Sequence, residues 1–163
     1  MNDLAQQRIA PAAIRKTITV AASIDRAFEV FASRMGEWWH KEHSVAKGTT
    51  QADVVVEPRA GGRWYEKGAD GSEHPWGRVL AYEPPSRLVL AWQLTRDFVY
   101  DPDFETTVEV TFEENDGATL VTFEHRDLER MGADAVELLE SMDGGWGMLL
   151  SLFRTAAEAQ TPL

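Results

Sequence analysis

Two histidines three residues apart, His40 and His43, form the first pattern in the sequence that could do chemistry. Residues three apart on a helix share a face, so the two imidazoles could bind one metal ion. The spacing differs from the His-Glu-x-x-His pattern of zinc enzymes, and no third ligand is apparent. We therefore expect a solvated helix end here and no bound metal.

Glu124 and His125 suggest a second polar cluster, with Glu105 and Glu109 on the preceding predicted strand. Carboxylates beside an imidazole suit acid–base catalysis. Successive strand residues point to opposite faces of a sheet, so at most one of Glu124 and His125 can face an interior cavity. We expect an exposed acidic sheet face instead. No Ser-His-Asp order, phosphate-binding glycine loop or recognised acid pair is present, so the sequence predicts neither a catalytic residue nor a cofactor.

Aromatic residues give the strongest indication of a binding site, because large rings line apolar pockets well. Trp146 shares one helical face with Met142 and Leu149, and the neighbouring glycines leave room for a ligand or for a close backbone contact. The same rings could simply fill the core, and both interpretations stay open. The tryptophans that we predict to contact a ligand are Trp38, Trp39, Trp64, Trp76, Trp92 and Trp146.

Arg63 and Glu66 are the polar residues that we add to this predicted ligand site. They lie on opposite faces of one predicted strand. A mostly apolar pocket needs only a few polar groups, and whichever of the two is buried could orient the polar end of a ligand. The alternating pattern leaves open which residue faces inward.

These residues belong to a predicted α+β domain whose elements can be read from hydrophobic periodicity. Ser23 is the predicted N-cap of a helix that ends at Gly36, and residues 37–41 predict a second short helical turn. An apolar-faced helix follows over 135–157, with glycines that predict a break or kink near Asp143. The seven predicted strands lie near 14–22, 54–57, 62–67, 76–82, 87–93, 104–114 and 118–126.

Short connections between the strands favour an antiparallel meander. The curved sheet must bury the long C-terminal helix against its concave face, which is the helix-grip arrangement. Because the helix cannot touch both ends of the concave sheet, we expect a gap between them that binds a small molecule.

Composition bounds the function further. The 163 residues carry 16 Lys and Arg against 27 Asp and Glu, a net charge of −11, and the basic residues are scattered, so nucleic acid is not an expected partner. The chain has no Cys, and no apolar run approaches the length of a membrane span or secretory signal. We expect a cytoplasmic protein with a flexible tail over residues 1–13 and one domain over 14–160.

Four short motifs in order add a family resemblance: PRAGGRW at 58–64, WGRVL at 76–80, EPPSRL at 83–88 and GW at 145–146. With the order of elements, they resemble the activator of heat-shock-protein-90 ATPase homologue family, within the START-like SRPBCC superfamily that shares the Bet v-like helix-grip fold. The resemblance extends from about residue 14 to 157. It implies a stand-alone domain of the bacterial type built round one cavity.

Three functional hypotheses follow. The first, supported by the aromatic residues and the lack of a catalytic constellation, is a non-enzymatic binder of a small hydrophobic molecule. The second is a cyclase or dehydratase, in which Glu66, Arg63 or His125 would move protons. The third is a co-chaperone-like interaction module. Eukaryotic co-chaperones make much of their chaperone contact through a separate N-terminal domain that the resemblance does not include, which argues against ATPase activation. Homodimerisation is plausible for such domains, although no interface is indicated by the sequence.

Overall fold

The structure is a computed structural model that describes residues 12–132 and 134–159. Most of the predicted tail therefore lies outside the described residues. Seven strands form one antiparallel sheet in the order β1-β7-β6-β5-β4-β3-β2. The strands are β1 Ile14–Val20, β2 Gln51–Val56, β3 Arg63–Gly68, β4 Glu73–Glu83, β5 Arg87–Trp92, β6 Thr106–Asn115 and β7 Ala118–Arg126. The helix-grip prediction of an α+β domain is confirmed.

Three helices cover the concave face of the sheet: α1 Ile24–Phe28, α2 Met35–Trp38 and α3 Val136–Glu158. Glu29–Ser33 forms a π-helical turn between α1 and α2, and Leu128–Met131 forms a 3₁₀ turn before α3. The predicted cap of α1 is confirmed, because the Ser23 hydroxyl accepts a hydrogen bond from the Arg26 amide. Arg26 also donates to the Ala157 carbonyl at 2.7 Å and so fixes the end of α3.

Two predictions about the helices are wrong. The second helical turn covers Met35–Trp38 rather than residues 37–41. Gly36 belongs to this turn because it lets α2 approach β2 closely: a Cβ there would collide with Asp53 and the Val54 amide. The predicted break near Asp143 is absent, since α3 is continuous from Val136 to Glu158. Its buried apolar face outweighs a cost of about 1 kcal/mol for each interior glycine.

Alternating side chains divide the sheet into an inner apolar face and an outer charged face. On β6, Val108, Val110 and Phe112 are buried, as their period-two spacing predicts. The outer face carries a row of six charged residues that crosses five strands, here called the charge ladder. Arginine and glutamate alternate along it: Arg15, Glu124, Arg126, Glu109, Arg87 and Glu83.

Candidate functional site

A cavity of about 390 Å³ lies between α3, the loop that joins α2 to β2, and the ends of β4 and β5. This volume is near the lower end of the range for small-molecule sites, about 300–1,000 Å³. Glu42, His43, Ser44 and Ser141 supply polar groups to its lining. The apolar part of the lining consists of Trp39, Val45, Trp76, Trp92, Leu94, Phe98, Met142, Gly145, Trp146 and Leu149.

Five tryptophans form a closed circuit of ring–ring contacts at the wall of this cavity, here called the five-indole ring. Four of them, all except Trp64, line the cavity directly. Neighbouring planes are inclined to each other by 51° to 85°. The centroid separations are 4.8 Å for Trp39–Trp76, 5.5 Å for Trp76–Trp64, 5.8 Å for Trp64–Trp92, 5.7 Å for Trp92–Trp146 and 5.7 Å for Trp146–Trp39.

Hydrogen bonds to protein acceptors fix the four lining indoles. Their N–H groups are thereby satisfied within the protein, which holds each ring in one orientation. The acceptors are the His43 carbonyl for Trp39 at 2.9 Å, Glu66 Oε1 for Trp76 at 3.2 Å, the Leu94 carbonyl for Trp92 at 3.1 Å and His125 Nδ1 for Trp146 at 3.1 Å.

Glu66 is a fully buried carboxylate on the inner face of β3. It accepts hydrogen bonds from the Val45 amide at 2.9 Å, from the Ser44 hydroxyl and from the Trp76 indole. All three donors belong to residues that line the cavity. Glu66 therefore lies one side chain behind the cavity wall and joins the α2–β2 loop to the sheet.

His125 is equally enclosed, on the inner face of β7. Burial lowers the pKa of its imidazole to about 3, against a smaller opposing effect of Asp127, so the ring is neutral at physiological pH. Nδ1 accepts from Trp146, which places the ring proton on Nε2, 2.8 Å from the Thr106 hydroxyl oxygen. The prediction that Glu124 and His125 face opposite sides is confirmed, since Glu124 joins the charge ladder outside.

His43 is the ionisable ring on the cavity lining. Its backbone carbonyl accepts from the Trp39 indole and, at 3.1 Å, from the Gln51 side chain. Desolvation lowers the pKa of the imidazole, with a further lowering from the charge of His40, so the neutral form is favoured. Its ring centroid lies 5.3 Å from that of His40. Within residues 12–132 and 134–159, no group of three or more His, Cys, Asp or Glu is placed to hold a metal ion.

The structure brings together six of the ten residues in the predicted ligand site. Trp38 and Trp64 pack behind the lining, with centroids 5.8 Å from Trp39 and Trp92 respectively, and Glu66 stands behind Trp76. Arg63 lies on the outer face of β3, where it pairs with Glu57 and Glu73 and does not reach the cavity. The six lining residues are Trp39, Trp76, Trp92, Met142, Trp146 and Leu149.

Sequence reasoning missed His43 and Phe98 as lining residues. His43 was weighed only as a metal ligand, and its position beside the tryptophans in the chain was the available signal. Phe98 lies in the loop between β5 and β6, where it has a φ of 59° and is 43% exposed. No sequence pattern indicates this left-handed conformation, which is uncommon for a bulky side chain.

A curved seven-stranded sheet gripping a C-terminal helix over an apolar cavity defines the protein as a START-like helix-grip domain. Residues 21–158 match the family described as activator of Hsp90 ATPase homolog 1-like protein, and the chain belongs to that family. This confirms the resemblance. In the described part of the chain, no helix combines the length and apolar character needed to cross a membrane.

Three solved structures with similar folds differ in their sequence identity to this chain. The anthrahydroquino-Gama-pyrone synthase Txn09, solved as a complex, is 34% identical, with coverage of 88% of this chain and 97% of that one and a TM-score of 0.60. CalC, a self-sacrificing resistance protein from Micromonospora echinospora, is 28% identical over 89% and 93%, with a TM-score of 0.63. The Aha1 dimer from Colwellia psychrerythraea, at 13% identity over 93% and 100%, shares the fold with a TM-score of 0.66. No curated protein matches the sequence.

Proposed function

We propose that the protein binds a small hydrophobic molecule in the cavity between α3 and the sheet. The observation that carries this proposal is the lining itself: four indoles with Met142 and Leu149 around about 390 Å³. An apolar surface of this kind gains free energy when a ligand displaces water from it, at roughly 25 cal/mol per Å² of apolar area buried. The polar residues of the lining, among them His43 and Ser44, would orient such a ligand.

The fixed geometry of the site supports binding without a large rearrangement. The lining indoles are already oriented by hydrogen bonds, so little side-chain freedom remains to be lost when a ligand enters. Gly145 lines the cavity opposite His43, and a Cβ there would lie 3.7 Å from His43 Cε1. The absence of a side chain at this position keeps the space between α3 and the loop open.

An enzyme of the cyclase or dehydratase kind is the second candidate, favoured by two observations. The relative at 34% identity is named as a synthase. His43 places an imidazole of lowered pKa on the cavity lining, where it could accept a proton from a bound substrate. A turnover that His43→Gln abolishes without weakening ligand binding would favour this candidate over a binding protein.

A matched pair of variants tests ligand binding. Gly145→Met fills the cavity, whereas Gly144→Met places the same side chain one residue earlier, where a Cβ meets nothing within 4 Å. Both replace an interior helical glycine and raise helix propensity by a similar amount. Ligands are sought by native mass spectrometry of the purified protein and by a thermal-shift panel of hydrophobic compounds. We expect hits for the wild type and Gly144→Met and none for Gly145→Met. No hit with any protein, or equal hits with all three, contradicts the proposal.

A further inference from the structure

The shape of the five-indole ring restricts the kind of ligand group that can pack against this part of the cavity wall. The planes of neighbouring indoles are inclined by 51° to 85°. A flat ring that stacks on one of them therefore meets its neighbours edge-on and cannot stack on all. A compact, roughly spherical group can contact several inclined rings at once.

The electrostatics of the same walls favour a positive group. An indole is negative over its face and positive at its edge, most of all at the N–H. In Trp39, Trp76, Trp92 and Trp146 the N–H is already bonded to a protein acceptor. These N–H groups are therefore not available to a ligand, and the electron-rich ring faces are what the four indoles offer to a cation.

Formal charges around the cavity point the same way. Among the described residues of the lining, none is Lys or Arg, and Glu42 contributes an acid. The Glu66 carboxylate stands behind the wall and accepts hydrogen bonds from three lining residues, Ser44, Val45 and Trp76. The chain as a whole carries a net charge of −11. A cation entering this cavity meets attraction from the rim and from behind the wall.

We propose that the hydrophobic ligand of this cavity carries a quaternary or tertiary ammonium group that the indoles of Trp39, Trp76, Trp92 and Trp146 hold by cation–π contacts. This inference rests on the proposed function and names the chemical class of the ligand. A primary ammonium is disfavoured, because it would bring three N–H donors to a wall that is largely carbon. An anionic head group is disfavoured by the adjacent carboxylates.

Three compounds of the same shape and different charge test the inference: benzyltrimethylammonium, its neutral carbon analogue neopentylbenzene, and the anion phenylmethanesulfonate. Binding to the wild type is measured by tryptophan fluorescence and by ligand-observed NMR. A desolvated cation–π contact contributes about 2 kcal/mol, which corresponds to a preference of about 30-fold for the cation over the neutral analogue. Equal or tighter binding of neopentylbenzene overturns this inference and leaves the proposed function standing. Binding of none of the three, together with an empty hydrophobic panel, overturns both.

Fluorinated tryptophan separates the cation–π contribution from simple fit. Biosynthetic replacement of the tryptophans by 5-fluorotryptophan withdraws electron density from the rings with little change in their shape. We expect the affinity for benzyltrimethylammonium to fall by about threefold or more and that for neopentylbenzene to stay the same. Equal changes for the two compounds contradict the role of ring electrons. Gly145→Met should abolish the binding of both, which locates them in the cavity.

Discussion

The buried His125 makes the stability of this protein depend on pH in a calculable way. In the unfolded chain an imidazole takes up a proton near its ordinary pKa of about 6.5, whereas in the folded protein His125 does so near about 3. The unfolded state therefore binds more protons over this interval, and the free energy of unfolding falls as the pH falls from about 6.5 towards 3. The stabilising contribution of the neutral ring is fully present above pH 6.5.

The magnitude follows from the two pKa values. Between pH 7 and pH 5 the His125 contribution lost is about 2 kcal/mol, and by pH 3 the loss is about 4 kcal/mol. His125→Gln removes this titration and keeps an acceptor for the Trp146 indole and a donor for Thr106. Between pH 7 and pH 5, we expect the free energy of unfolding to fall by about 2 kcal/mol more in the wild type than in His125→Gln, even if the variant is less stable at every pH.

Urea unfolding followed by tryptophan fluorescence at pH 7, 6 and 5 measures the difference. Thr106→Val is the control, because it removes a partner of His125 but leaves the burial of the ring in place. It should lower stability at every pH by about 1 kcal/mol and keep the pH dependence of the wild type. If the free energy of unfolding falls by the same amount between pH 7 and pH 5 in the wild type and in His125→Gln, the conclusion that burial holds this imidazole neutral is refuted. The two substitutions leave every other ionisable residue in place, so the difference between the wild type and each variant reports on His125.

Further substitutions at four positions test the packing and the charge ladder. Glu66→Ala leaves one buried and two partly buried donors without this acceptor, and we expect a loss of about 3 kcal/mol in urea unfolding, of which Glu66→Gln recovers a part. Gly77→Ala should lower the melting temperature, because its Cβ would overlap the Ala91 carbonyl, whereas Gly144→Ala in open space should raise stability by up to about 1 kcal/mol. Arginine hydrogen bonds lower the pKa of Glu109, so Glu109→Gln should cost stability most above pH 4.5, and this difference from the wild type should narrow at lower pH.

Much of the fold could be predicted from the sequence, because an element that buries one face repeats its apolar residues with the period of a strand or a helix. Period-two alternation located β1 and β6, recurring turn signals bounded the other strands, and the apolar spacing of α3 predicted which of its faces meets the sheet. The helical positions near Gly36 were misplaced, since they depend on the close approach of α2 to Asp53, a contact between segments distant in the chain. Continuity of α3 through its glycines likewise comes from tertiary packing rather than from local propensity.

The candidate site was predictable in composition but not in geometry. Tryptophans on separate elements indicated an aromatic pocket, yet their closure into a ring depends on side-chain rotamers. Alternation placed Arg63 and Glu66 on opposite faces without deciding which was inside. The fold determines which of the two faces inward. Glu66 accepts from three donors on the inner face, whereas Arg63 pairs with Glu57 and Glu73 on the outer face. A buried carboxylate needs such partners, and no local sequence signal announces them.

The charge ladder on the outer face specifies something that the hydrophobic pattern leaves ambiguous. Sliding one strand past another by two residues keeps every apolar side chain inside, so alternation does not reject that mispairing. The ladder does reject it. Glu109 and Glu124 lie directly opposite each other on β6 and β7, and Arg126 joins them by bonding to both, at 2.7 Å and 2.9 Å. A two-residue slip between β6 and β7 separates Arg126 from Glu109. The ion pairs therefore favour the native register over other registers that bury the same apolar side chains.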